Sequence, residues 1–415
     1  MIVMQRMLLL LSILFALYAC SSAPPVAHHA AKPVPATVVA PVAVAPKPAP
    51  IEVPLVAPEP VVTQPIETLP MLEEQEIVLD ENALPHIALL LPLQDKDFSE
   101  SALAVRDGFM AAASLNERGL PVLVYNKFDE NSSVVAAYRK AIAHGAQAVV
   151  GPLTRNGVSA LAAEKNIPVP TLALNSVDAR PADNLYFFSL SADTEARNVA
   201  ELAAQQNLHQ AIVISSSSPL AQRIQFAFEE AWSKSGRNIV REIEFKDDSS
   251  ILSGLVNAPD TLVFLATDAQ KARQIRPYLP NKLPTYGTSQ LFVGNDDALT
   301  NYDLNGIRFV DMPWLLQPDH PAVLMYPHST TPLAADKERL YALGIDAYRL
   351  VQLMLAHRLE SSLPLDGVTG QIQLDQHTLQ RTAVAGVFTQ GRAQSTEAVA
   401  APAIQMFPDQ FKIKP

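Results

Sequence analysis

The chain has 415 residues, 48% of them hydrophobic, enough for two ordinary domains or one large bilobed unit. Its formal net charge is −11, which argues against nucleic acid as a partner, because phosphate backbones are held by cationic faces. The 34 prolines and 15 glycines are unevenly spread, and that unevenness is the first sign of organisation.

The opening MIVMQRMLLLLSILFALYAC carries one positive charge, Arg6, followed by an apolar run from Met7 to Leu17. Such a run is short for a bilayer span and has the length of a signal-peptide core. Leu17, Tyr18, Ala19 and Cys20 then resemble the bacterial lipobox, and Cys20 is the sole cysteine of the chain. Residues 1–19 are therefore expected to be a lipoprotein signal peptide and Cys20 the lipidated residue; an ordinary secretory signal containing a cysteine is the alternative. Several acyl chains, at about 0.8 kcal/mol per buried CH2, make such an anchor effectively permanent. An acylated Cys20 leaves no thiol for a disulfide, so the exported part must be stable through packing alone. Ser21 and Ser22 follow the cysteine where an inner-membrane retention signal would place Asp, so the expected location is the outer membrane, facing the periplasm.

Residues 20–85 are dominated by Ala, Pro and Val, with 14 of the prolines between Ser21 and Pro85. Proline removes backbone donors and biases its neighbours to extended conformations, so this stretch reads as a solvated polyproline-like tether. At about 3.1 Å per residue it could reach on the order of 150 Å or more.

From His86 the pattern changes to short apolar runs separated by amphipathic stretches. HIALLLPL (86–93) suits a strand buried on both faces. Residues 99–119 read as a helix with Ser99 as N-cap and Gly119 as terminator, and 121–126 as a strand. The cycle repeats through SSVVAAYRKAIAHG, AQAVVGPL, RNGVSALAAEKN and IPVPTLALN. A second set follows YFFSLSAD (186–193) and includes AIVISSSS, a helix opened by Pro219, NIVREIEF and TLVFLATD. Alternation of buried strands with amphipathic helices implies right-handed crossovers, hence an α/β fold of two doubly wound lobes with mainly parallel sheets. The first lobe is expected over about 86–190 and 311–362, including a long helix over 332–360. The second is expected over about 191–310 plus a C-terminal hairpin of 366–375 with 381–391, and a tail over 392–415.

HIALLLPL, GPL (151–153), LALN (172–175), FFSLS (187–191) and GIDAYRL (344–350), followed by TGQIQLD, resemble the LppC, or LpoA-type, penicillin-binding-protein activators. Behind that family stands the type I periplasmic-binding-protein fold. The resemblance covers roughly residues 86–391. It implies a bilobed domain that docks on a bifunctional peptidoglycan synthase, a class A penicillin-binding protein. Long members of the family carry a helical-repeat domain between anchor and bilobed domain, where this chain has only the Pro/Ala tether.

Catalytic signatures are missing from the sequence. GxGxxG, the Walker A loop, SxxK and GxSxG do not occur; His28 and His29 lie in the tether, and from His86 on the histidines form no HExxH or other close ligand pair, so no catalytic residue, metal or cofactor is expected. His86, His144, His209 and His377 read as surface or strand-edge residues. The SSSSP run (215–219) reads foremost as a capping loop, with anion binding at a helix N-terminus as the sharper alternative. Ligands of open α/β sheets gather beyond the carboxyl ends of strands. That rule nominates Pro92, Leu93, Gly151, Pro152, Leu153, Asn175, Ser215 and Asp268 as an inter-lobe cleft, and the first-lobe members offer few hydroxyls or charges. Trp314 reads as a core or hinge residue, with an interface anchor as the alternative. The sequence thus favours a non-enzymatic outer-membrane regulator of a peptidoglycan synthase. A solute-binding receptor for an amino acid or cell-wall fragment is the rival.

Overall fold

The computed structural model describes residues 83–128 and 132–397. Cys20, the leader and the tether up to residue 82 lie outside them, as do residues 398–415. The apolar run after Pro85 forms β1 (His86–Leu90), with all its residues buried. The first lobe continues through α1 (Ser99–Ser114), β2 (Val122–Tyr125), α2 (Val134–Ala143), β3 (Ala146–Val150), α3 (Arg155–Ala162), β4 (Thr171–Ala173) and β5 (Leu185–Phe188). The second lobe takes α4 (Ala192–Ala204), β6 (Gln210–Ser215), α5 (Pro219–Lys234), β7 (Asn238–Glu244), β8 (Thr261–Ala266), α6 (Ala269–Ile275), β9 (Thr285–Gly287) and β10 (Arg308–Asp311). After short helices α7 (Pro313–Leu316) and α8 (Pro321–Leu324), the long α9 (Ala335–Leu355) returns to the first lobe. Strands β11 (Leu365–Gly367), β12 (Gly370–Asp375), β13 (Thr378–Thr382), β14 (Val384–Thr389) and β15 (Arg392–Ser395) complete the described chain.

The first sheet has eight strands in the order β11-β12-β13-β5-β4-β3-β1-β2, and the second has seven in the order β15-β14-β10-β9-β8-β6-β7. Pairing is parallel from β2 through β13 and from β7 through β10, and antiparallel at the β11–β12–β13 and β10–β14–β15 ends. Two mainly parallel doubly wound sheets are thus the architecture that the alternation implied.

Strand residues divide between faces with the two-residue period. In the first sheet, Ile87, Leu89, Val150 and Leu172 pack with residues of α1 and α9, while Ala88, Leu90, Val149 and Ala173 pack with α2 and α3. In the second sheet, Ile214, Val263 and Leu265 pack towards α6, and Val213, Leu262 and Phe264 towards α4 and α5. There Phe228 stacks on Phe264 at 3.9 Å between centroids and on Trp232 at 5.6 Å. Each fully buried Leu, Ile or Phe contributes about 1.5–3 kcal/mol, so cores on both faces of both sheets meet the need for stability without a disulfide.

Helices α1 and α9 approach closely because Gly108 and Gly344 lie at their crossing. A Cβ on Gly344 would overlap the carbonyl oxygen of Val105, and one on Gly108 that of Tyr341. Gly151 has φ +106° and abuts the carbonyl oxygen of Leu90, so the GPL turn after β3 also requires glycine.

Several local expectations are corrected. Phe98, not Ser99, holds the N-cap position of α1 and makes no side-chain capping bond; Asp95 instead accepts from the amides of Asp97 and Phe98 and turns the chain one step earlier. The helix ends at Ser114, and Gly119 closes a following turn through its amide and the Asn116 carbonyl. In IPVPTLALN only Thr171–Ala173 form strand. His86 is not a surface residue: it is fully buried, its Nε2 3.1 Å from the Tyr125 hydroxyl.

Residues 366–375 do not form a second-lobe hairpin with 381–391. β12 turns back at Gln376 onto β13 and stays in the first sheet, whereas residues 384–389 pair with β10 and β15 in the second. Arg392–Ser395, expected in the tail, are the outer strand of that sheet.

Adding a methyl at Gly344 should cost about 1–3 kcal/mol, because the obstructing atom is backbone; urea unfolding of Gly344→Ala measures it. Tyr138 is buried, with its hydroxyl 3.2 Å from Thr171 Oγ1, and burial pushes its pKa up to about 12. A raised folded pKa means stability is intact below the ordinary tyrosine value and falls as pH rises from about 10 to 12. The loss should amount to about 2–3 kcal/mol, and Tyr138→Phe should remove that part of the alkaline decline.

Candidate functional site

Pro92, Leu93, Gly151, Pro152, Leu153 and Asn175 follow β1, β3 and β4, which are neighbours in the first sheet. Their surroundings are mostly apolar and internally committed. Leu153 is buried in the same core as Leu91 and Leu174, with Leu93 packed against it. The Asn175 amide donates to the Leu153 carbonyl at 3.1 Å and accepts from the Ser176 amide at 3.0 Å. Thr154 caps α3 by accepting from the Gly157 amide.

Ser215 ends β6 and Asp268 follows β8, neighbours in the second sheet. Ser215 is buried, and Asp268 caps α6 by accepting from the Lys271 amide at 2.9 Å. In the serine run, Ser218 caps α5, its hydroxyl accepting from the Ala221 amide. Two surface depressions, of about 470 and 390 Å³, lie at residues 315–319 with β15 and at α3 with residues 177–179. None of the residues nominated for the cleft lines either one.

The densest buried chemistry sits where the chain passes between the lobes. The passages follow β5, β10 and β13, and charged residues stand beside each: Glu195 in the first turn of α4, Asp311 at the end of β10 and Arg381 near the end of β13. Arg381 Nη2 donates to Glu195 Oε1, both side chains at most 5% exposed. Glu195 Oε2 accepts from the Ser289 hydroxyl at 2.6 Å and the Ser289 amide at 3.2 Å. The Ser289 carbonyl in turn accepts from Arg339 Nη2 at 3.1 Å, and the same nitrogen reaches the Phe292 carbonyl at 2.9 Å. Arg339 also pairs with Asp311, Nη2 to Oδ2 at 2.6 Å and Nε to Oδ1 at 3.1 Å, while Oδ1 accepts from the Met312 amide.

Burial pushes the Asp311 carboxyl up, against the charge and hydrogen bonds of Arg339. Burial also works against the charge of Arg339, but Asp311 and then Glu195 outweigh it and hold the guanidinium above its ordinary value. The two directions pull apart on the charge of the pair. Geometry decides for the ionised form, because both Asp311 oxygens accept hydrogen bonds and neither is left to carry a proton.

A third buried carboxylate braces this network. Asp346, fully buried in α9, pairs with Arg349 at 2.9 Å and accepts from the Val368 amide, the Thr369 amide and the Thr369 hydroxyl. It holds the β11–β12 turn, where a Cβ on Gly367 would overlap its side chain and one on Gly370 would strike the Thr382 carbonyl oxygen. The Thr369 carbonyl accepts from Arg381 Nη1 at 3.3 Å, joining the brace to the inter-lobe pairs. Trp314 is a core residue: buried in the second passage, it donates from Nε1 to Glu338 at 2.6 Å, and its ring lies tilted near those of Tyr341 and His328.

Sequence reading missed Glu195, Ser289, Asp311, Arg339 and Arg381. Only Asp311 carried a local signal, a charge closing an apolar run in IRFVDMPW, where it ends a strand. Among the described residues, no group of three or more His, Cys, Asp or Glu is placed to hold a metal ion. No helix among them is long and apolar enough to cross a membrane.

Arg381→Met should destabilise the protein by about 3–5 kcal/mol, because it strands a buried carboxylate. Combining it with Glu195→Gln should recover much of that loss. Urea unfolding of both forms measures the coupling, and equal losses in the single and double variants would refute it.

Comparison with known proteins gives this fold a family. The family model described as "LppC putative lipoprotein" matches residues 67–262 and 257–384. A curated relative, penicillin-binding protein activator LpoA of Photobacterium profundum, is 28% identical over 367 residues, covering 77% of this chain and 58% of the relative. The chain spans somewhat more than half the length of the curated relatives it matches. Among solved structures, a Chromobacterium violaceum protein described as a "putative branched-chain amino acid ABC transporter" is 37% identical, with a TM-score of 0.65 over 74% of this chain and 100% of that one. The C-domain of Haemophilus influenzae LpoA, described as a regulator of PBP1A, is 23% identical, with a TM-score of 0.63 over 75% of this chain and 100% of that domain. With its motifs, its two sheets and a family model spanning most of its length in agreement, this chain belongs to the LppC lipoprotein family.

Proposed function

We propose that this protein is a non-enzymatic, lipid-anchored regulator that binds a class A penicillin-binding protein and favours its active state. The observation that carries the reading is the family match, which runs through both described lobes. In support, the body matches the whole of a domain described as a regulator of PBP1A. Activation of this kind needs only that the body bind one conformation of the synthase more tightly than another; a preference of about 1.4 kcal/mol shifts that equilibrium tenfold. Anchoring through Cys20 in the outer membrane, with residues 20–85 as tether, would carry the body towards a synthase in the opposite membrane.

The receptor reading has one specific observation in its favour, the 37% identity with the Chromobacterium violaceum protein. Against it stand the first-lobe strand ends, where Leu93 and Leu153 belong to the core and the Asn175 amide is already engaged. A grip on a zwitterionic ligand calls for free polar groups at such positions.

The two readings separate in one set of assays. Added to the class A synthase of the same organism, the purified full chain should raise glycan polymerisation or crosslinking several-fold; no rise in either would refute the regulator. Cys20→Ser should lose incorporation of labelled palmitate while still stimulating the synthase in detergent solution. Millimolar leucine, isoleucine or valine should leave the melting temperature unchanged, whereas a clear upward shift would favour the receptor.

A further inference from the structure

We propose that the two buried ion pairs at the lobe passages form a latch that fixes the angle between the lobes, so that the body works as one rigid template and does not open and close. Its polarity is one-sided. Both cations, Arg339 of α9 and Arg381 of β13, come from the first lobe, and both carboxylates, Glu195 of α4 and Asp311 of β10, come from the second. Ser289 fuses the pairs into one network, giving its hydroxyl and amide to Glu195 and its carbonyl to Arg339.

Neither side of the latch is free to follow a rotation. On the first-lobe side, Arg381 is held by the Thr369 carbonyl, and Thr369 by the fully buried Asp346. On the second-lobe side, Arg339 spans two carbonyls, of Ser289 and Phe292, as well as both oxygens of Asp311. The passages themselves are tied down as well. Trp314 donates from its amide to the Val368 carbonyl and from its indole to Glu338, and the Ala383 amide reaches Asn198 Oδ1. Turning one lobe about these strands would move guanidinium groups off fixed acceptors in a region closed to water, which cannot replace the lost bonds. Ligand-driven closure requires a second orientation close in free energy. The latch removes it.

This inference rests on geometry and does not depend on the identity of the partner. Spin labels attached through non-canonical residues replacing Ser114, on α1, and Ser233, on α5, report the inter-lobe distance in the full chain by double electron–electron resonance. The expected result is a single narrow distribution, unmoved by millimolar leucine. Two populated distances, or a shift with leucine, would overturn the latch. Arg381→Met should broaden the distribution while circular dichroism shows a folded protein; a folded variant as narrow as the parent would overturn the role of the ion pairs. Should Arg381→Met fail to fold, Arg339→Lys keeps the charge, loses the forked contact and is read the same way. The unsubstituted chain decides the question of rigidity in either case.

Discussion

Four charged side chains, drawn from positions 195, 311, 339 and 381, are buried together where the chain passes between its two sheets. Taking such groups out of water is costly, and the cost is offset only when each charge meets an opposite one in good geometry with its remaining sites bonded. That requirement positions everything around it. Helix α9 must return to the first lobe at the height that brings Arg339 to Asp311, and β13 must end where Arg381 meets Glu195. The turn between β11 and β12 must be narrow enough for Asp346 to reach two of its amides. Gly108, Gly344, Gly367 and Gly370 fit this scheme as places where backbones or side chains come too close for a Cβ.

The same arrangement bears on function. Strand ends that would grip a small polar ligand are occupied by Leu153 and by polar groups committed to caps and turns, while the buried ion pairs are sealed inside the junction. Under the proposed latch, a surface spanning both lobes would be recognised as a shape, and the energy of recognition would not be divided with a closing motion.

Much of this fold was legible from residue order. Continuous apolar runs such as IALLL and LVFLA can be satisfied only by strands covered on both faces, and the intervening helices showed their stripes. The pairing of GIDAYRL with the later TGQIQLD was visible as a motif, and its cause is the bond from Asp346 to the Val368–Thr369 turn. What stayed hidden was set by tertiary partners. Glu195 and Arg381 are separated by 186 positions, and nothing local marks either as buried. The cap of α1 was misassigned because Asp95, before the helix, turns the chain by accepting from the Asp97 and Phe98 amides, and Ser99 is already helical. Residues 366–391 read as one hairpin because both halves are strand-like, yet the chain changes sheets at Ala383, within a run that local preference treats as continuous.

That change of sheet has a consequence for how the molecule is made. The closing stretch from Leu365 to Ser395 gives β11 to β13 to one sheet and β14 to β15 to the other, so neither half is an unbroken length of polypeptide. A chain halted before this stretch lacks the strands that flank β5 and β10, and with them Arg381, one of the two cations of the junction. Both sheets are therefore completed by the same stretch of chain, and neither has its full set of strands without it.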